Sequence, residues 1–219
     1  MQPIDIVEWL RQNPEFFEEF ADDLAQIYVP HTHRGQAVSL AERQLLTLRE
    51  KNRALELRLS ELLQFGEEND TISEKMHRLG VSMISALTFQ AVIHTLNFHL
   101  RDDFAIPHFA LRLWDRPDGT AELPEFAAVS DELQAFAETL TQPYCGSTSG
   151  FETSSWFGEA ARQIRSQALI ALRNGGGTFG MIALGSEDVQ RFYAGMGTLY
   201  LERLGEMASA ALARVLRIA

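Results

Sequence analysis

Val38, Ala41, Leu45, Leu48, Asn52, Leu55, Leu59 and Leu62 alternate steps of three and four without a miss, filling the a and d positions of four heptads. An amphipathic helix that packs on its own domain drifts away from a strict 3.5-residue repeat, whereas a coiled coil holds it. Residues 38–66 therefore read as a coiled-coil dimerisation helix, about 40 Å long over the heptads at 1.5 Å per residue. Asn52 is the one polar seam residue and occupies an a position. Such an Asn is best buried against its twin in a parallel two-stranded coil, where it fixes register at some cost in stability. In that register Lys51 at g faces Glu56 at e of the second strand. The expected assembly is a homodimer with Leu45, Leu48, Asn52, Leu55, Leu59 and Leu62 along its seam. A single helix packed on its own domain is the alternative.

The segments on either side differ from the coil in charge. Residues 1–37 carry seven acids and two bases, the coil four and five, and the remainder nineteen and twelve, for a formal charge of -11. Nucleic-acid binding draws on clustered Lys and Arg, so this balance counts against it. Within residues 1–37, Ile4, Val7 and Leu10, then Phe17, Phe20, Leu24 and Ile27, recur at helical spacing on either side of Asn13-Pro14. Asn13 reads as an N-cap followed by a proline preset for the first turn. This acidic, Phe-rich helical pair is too short to hold a core and is the candidate surface for a protein partner.

From residue 67 to 219 the pattern is that of an α+β domain with an antiparallel sheet and helices packed on one side of it. Thr71 and Glu74 have capping-box spacing, so the long helix either restarts there or runs on. Leu79 to Leu100 lacks Asp, Glu, Lys and Arg but holds eight polar residues, Ser82, His94 and His99 among them. That is too polar for a bilayer span, and two soluble helices around a break at 86–89 account for it. Without a signal peptide or membrane span, the expected location is cytoplasmic. Strands are expected at Phe109–Leu113, Phe126–Val129, Gln167–Leu172 and Phe179–Leu184. A turn is expected at Pro117-Asp118-Gly119, a hairpin at Asn174–Gly177, a short helix over Asp131–Leu140 and a closing helix from Thr198.

The run Gly175-Gly176-Gly177-Thr178-Phe179-Gly180-Met181-Ile182-Ala183-Leu184-Gly185-Ser186, followed by Phe192 and the closing helix, resembles the end of a GAF domain. Tyr144-Cys145-Gly146, Arg191-Phe192 and Met196-Gly197 further resemble the bacterial family called domain of unknown function 484. So do Leu10-Arg11, Asn13-Pro14-Glu15-Phe16-Phe17, Val29-Pro30-His31 and Val38-Ser39-Leu40-Ala41-Glu42-Arg43-Gln44. The resemblance implies a GAF-like domain behind an N-terminal helical region, and brings no activity with it.

The chain offers little catalytic chemistry. Cys145 is the one cysteine, which excludes an intrachain disulfide and a thiolate zinc cage. Bilin-attaching GAF domains carry His after the cysteine where this chain has Gly146, and GAF-fold methionine sulfoxide reductases use more than one cysteine. Cys145, expected in a loop, reads as a structural thiol. His31 and His33 lack a third ligand, and His94, His99 and His108 suggest no site. The glycines at 175–177 join strands and lack the Lys-Ser/Thr of a phosphate loop. No Gly-x-Ser-x-Gly elbow surrounds Ser147, Ser149, Ser154 or Ser155. In GAF folds the ligand lies near the segment corresponding to Leu140–Phe157. Its Tyr144, Cys145, Phe151, Trp156 and Phe157, with Arg112 and Trp114, are the candidate pocket for a small molecule. No cofactor is identified. The reading is a non-catalytic sensor or scaffold. An enzyme or thiol redox sensor at Cys145, and a nucleic-acid accessory protein, are its rivals.

Overall fold

Pro3 opens the first helix, where its missing N–H costs nothing, and Asp5 accepts from the backbone N–H of Gln2 at 2.7 Å. The computed structural model describes residues 2–25, 27–30, 37–114, 123–175 and 177–218, and divides into two units, 1–68 and 69–219. In the first unit α1 (Pro3–Gln12), α2 (Glu15–Glu19) and α3 (Ala21–Ala25) precede an antiparallel pair, β1 (Tyr28–Pro30) and β2 (Ala37–Ser39). Asn13 ends α1 instead of starting the next helix: its side-chain amide and its backbone N–H both donate to the Trp9 carbonyl. Val38, expected as the first seam position, is paired with Val29 in β2, so the helix starts two residues later. The expected His31 and His33 lie outside the described residues, as does the turn at Pro117-Asp118-Gly119.

The helix that follows, α4 (Leu40–Ser85), runs 46 residues and does not restart at Thr71. The boundary between the two units, Glu68/Asn69, falls within it. It ends where expected. Thr88 then caps α5 (Phe89–Asp102), its hydroxyl accepting from the Ala91 N–H at 3.2 Å.

The second unit is built on a four-stranded antiparallel sheet: β3 (His108–Leu113), then after α6 (Asp131–Thr139) β4 (Tyr144–Ser147), β5 (Ser166–Asn174) and β6 (Gly177–Ser186), with α7 (Leu199–Leu216) closing the chain. The strand order is β3-β6-β5-β4. The β5–β6 hairpin forms its centre, and eight consecutive residues of β6, from Thr178 to Gly185, are buried. One face packs Ala168, Ile170, Leu172, Ile182 and Leu184 against the end of α4, α5 and α7. The other packs Leu169, Met181 and Ala183 against Leu133 and Ala137 of α6. Helical structure thus covers both faces, where the sequence suggested one. The correction follows from β5 and β6, whose near-continuous apolar runs require burial on both sides.

Phe126–Val129 is not a strand. Pro124–Phe126 forms one 3₁₀ turn that buries Phe126 completely, and the chain then runs without regular structure to the Ser130 cap of α6. Pro124 lacks the N–H that a ladder needs. Gly180 faces Leu113 across β3 and Leu172 across β5. A Cβ there would lie 2.5 Å from Leu113 Cδ2 and 2.8 Å from the Arg112 carbonyl oxygen. Gly180→Ala is therefore expected to destabilise the fold by about 1–3 kcal/mol in urea unfolding. An unchanged midpoint and slope would contradict this packing.

Candidate functional site

Six of the seven expected pocket residues come together on the α6 side of the sheet. Side chains alternate along β3, so Arg112 stands on the face opposite Leu111 and Leu113, with its guanidinium carbon 5.1 Å from the Trp156 ring centre. Its Nη1 donates to the Leu111 carbonyl at 2.8 Å. Burial lowers the Arg112 pKa from its ordinary value, and the Glu125 carboxylate opposes that shift. Trp114 donates its indole N–H to the Thr178 carbonyl at 2.7 Å, pinning the end of β3 to β6. Tyr144 and Phe151 lie 4.9 Å apart between ring centres, and Phe136 of α6 sits 5.4 Å from Phe151. Phe157 packs with the same cluster and meets His108 edge-on at 6.5 Å.

Cys145 departs from the group. It lies in β4, not in a loop, and is paired with Ala168 of β5. Its side chain packs with the core under α5 and α7, on the opposite face from Tyr144. The alternation of a strand separates these neighbours, which a loop reading could not reveal. Burial pushes the thiol up to about 11, leaving thiolate at only about one part in ten thousand at neutral pH.

Among the described residues no three His, Cys, Asp or Glu side chains converge on a metal position. The polar arrangement that sequence reasoning missed lies between α4 and α5. His99 is 8% exposed, with Nδ1 2.5 Å from Asp103 Oδ2 and Nε2 3.1 Å from Ser82 Oγ. Arg78 Nη2 donates to the other Asp103 oxygen at 3.2 Å. The hydrogen bond from His99 is the main cause lowering the Asp103 pKa, and Arg78 adds to it against some desolvation. The i,i+4 spacing of His99 and Asp103 was a legible signal. Ser82 was not, because only the packing of two helices brings it there. Ser82, His99 and Asp103 stand in the order of a nucleophilic triad. An acyl-transfer site also needs donors for an oxyanion, and interior helical amides such as that of Ser82 are spent on the carbonyl four residues back. The network ties α4 to the end of α5.

Residues 1–216 match the model of a family described as Protein of unknown function, DUF484. An uncharacterised protein of Salmonella typhimurium, YigA, is 25% identical over 209 residues, covering 92% of this chain and 87% of that protein. Two solved structures each cover 68% of this chain. A GAF domain from Pseudomonas syringae pv. tomato aligns over 90% of its length at 15% identity with a TM-score of 0.46. A free methionine-R-sulfoxide reductase from Neisseria meningitidis aligns over 92% of its length at 14% identity with a TM-score of 0.48.

Two outcomes are expected. Native Cys145 should react with iodoacetamide near neutral pH about a hundredfold more slowly than in the urea-unfolded chain, because about a hundredfold less thiolate is present. Equal rates would contradict a thiol pKa raised by burial. Asp103 has a depressed folded pKa, so its stabilisation is present above the unfolded carboxylate value of about 3.9 and is lost as pH falls through the folded one. Asp103→Asn should therefore be less stable than the parent at pH 7 and approach it in acid. A stability gap unchanged between pH 7 and pH 2.5 would contradict the linkage.

Proposed function

We propose, for this chain that belongs to the DUF484 family, the role of a non-catalytic regulatory or scaffold protein that pairs through α4 and carries a small-molecule-binding, GAF-like second unit. The observation that carries this reading is the condition of the seam. Leu45, Leu48, Leu55, Leu59 and Leu62 are between 48% and 65% exposed on the single chain. A stripe of leucines in strict heptads is costly to leave in water, and a second copy in parallel register covers it.

Asn52 is the weak point of that seam. Two asparagines facing each other hold the register but contribute less than leucines would, which leaves the seam locally weak and its twist open to bias. A ligand that biases the twist changes the signal a partner reads. The candidate reading surface is the acidic N-terminal region. Phe16 stacks on Phe20 at 4.8 Å and meets Trp9 edge-on at 5.4 Å, and neither α1 nor α2 buries a residue. Trp9, Phe17 and Phe20 are 50%, 48% and 38% exposed beside Glu15, Glu18 and Glu19. Exposed aromatics among acids suit a protein partner with an apolar pocket and a basic rim.

Asn52→Leu tests the assembly. Sedimentation velocity should give a dimer for the parent, and for the variant a tighter dimer or a higher oligomer. A monomer in both cases sinks the coiled coil and the mechanism built on it.

A further inference from the structure

The pairing of β4 with β5 stops at Tyr144↔Leu169, because the next residue back along β4 is Pro143, which has no N–H to donate. β5 continues to Asn174 along β6, so from Ile170 onward it has no strand on its outer side among the described residues. The chain from α6 to β4 passes behind this bare edge and α7 in front of it. Gly205 lets α7 come close, since a Cβ there would stand 2.6 Å from Ile170 Cγ2. What remains open is a groove of about 480 Å³ at the edge of the sheet, within the size range of small-ligand sites.

Its lining has two characters. Leu140, Pro143, Ile170, Ala171 and Ala210 supply apolar surface. Glu202 and Glu206 supply carboxylates, four residues apart and so on one face of α7. Glu202 Oε1 accepts from the Thr198 hydroxyl at 2.6 Å, while Glu206 has no hydrogen bond or ion pair among the described residues. Like charges at this spacing destabilise a helix, and neither carboxylate has an ion pair among the described residues. The one base there, Arg173, is directed elsewhere: its Nη2 donates to the Ala137 and Glu138 carbonyls at 2.7 and 3.1 Å, at the end of α6. Two carboxylates are too few for a divalent metal, which takes six or more oxygens.

We propose that this groove binds a small organic cation, an ammonium or guanidinium head carried on a short alkyl stem. The stem lies along Ile170 and Pro143, and the head is held between Glu202 and Glu206. The proposal rests on the reading that the second unit takes a small molecule, and moves that ligand from the aromatic cluster to the open edge of β5. It does not depend on the dimer, because every lining residue belongs to the second unit.

The test is an amide NMR titration of the full-length chain with 1,5-diaminopentane, and with 1-pentanol as the neutral match. The diamine should shift Ala171, Arg173 and Gly205 saturably, and more weakly as salt is added, while pentanol should not. Glu202→Gln with Glu206→Gln should weaken the diamine at least about tenfold. Glu187→Gln with Asp188→Asn, exposed acids outside the groove, should leave it unchanged. No saturable shift at the three amides, or equal weakening by both pairs of substitutions, overturns the site. Saturable shifts confined to Tyr144, Phe151 and Trp156 overturn it too, but leave the second unit a small-molecule binder.

Discussion

The second unit depends on one constraint: β6 has no face turned to water. From Met181 to Leu184 its side chains alternate between two cores, Met181 and Ala183 toward α6, Ile182 and Leu184 toward α5 and α7. A strand of this kind must be sandwiched, and the unit is the set of elements that sandwich it. Glycine sits where space runs out. Gly180 allows Leu113 and Leu172 to close over β6, and Gly185 leaves room for Phe157 and Ile164, each of which would stand within 3.1 Å of an added Cβ. The candidate sites lie away from this centre, at the sheet edge and at the helix ends.

Those helix ends are secured by polar contacts in place of further apolar area. Arg214 of α7 donates to the Met83 and Ile84 carbonyls at 2.9 and 2.8 Å, and also to that of Ala86, satisfying acceptors that the end of α4 leaves open. Behind them His99, Asp103, Ser82 and Arg78 join the same helix end to α5. A break between two helices inside a polar, uncharged stretch is thus held from both sides. The contacts made by Arg214 and those made to the Asp103 carboxylate are charge-assisted and so stronger than neutral hydrogen bonds, and the latter depend on Asp103 staying ionised.

Much of this was legible where a period or a punctuating residue stood alone. The heptads marked the helix, the polar, uncharged run over 79–100 its break at 86–89, and the glycines at 175–177 the hairpin. Legibility failed where two readings share one pattern. Phe126–Val129 is apolar whether it forms a strand or follows a 3₁₀ turn, and only Pro124 argued for the second. Val38 keeps the heptad period but pairs with Val29 in a strand, the conformation that β-branched residues favour. The sidedness of Cys145 and Tyr144 required knowing that they belong to a strand. The candidate pocket shows the same limit: aromatic composition drew attention to Tyr144, Phe151 and Trp156, yet rings that pack on one another fill space as readily as they enclose it.

The groove beside β5 had no such compositional signal, because it is made by what is missing. Proline ends a strand one residue before Tyr144, a glycine replaces a side chain on α7, and a strand position is left empty. Its two carboxylates looked like an ordinary solvated helix face in the sequence. Only the fold shows that Glu202 and Glu206 line a groove with Pro143 and Ile170, whose one base, Arg173, is turned toward α6. The net charge of -11 then has a local meaning as well as a global one. Such acids are screened within about 8 Å at physiological salt, so they act on a cation that enters the groove and not on one at a distance.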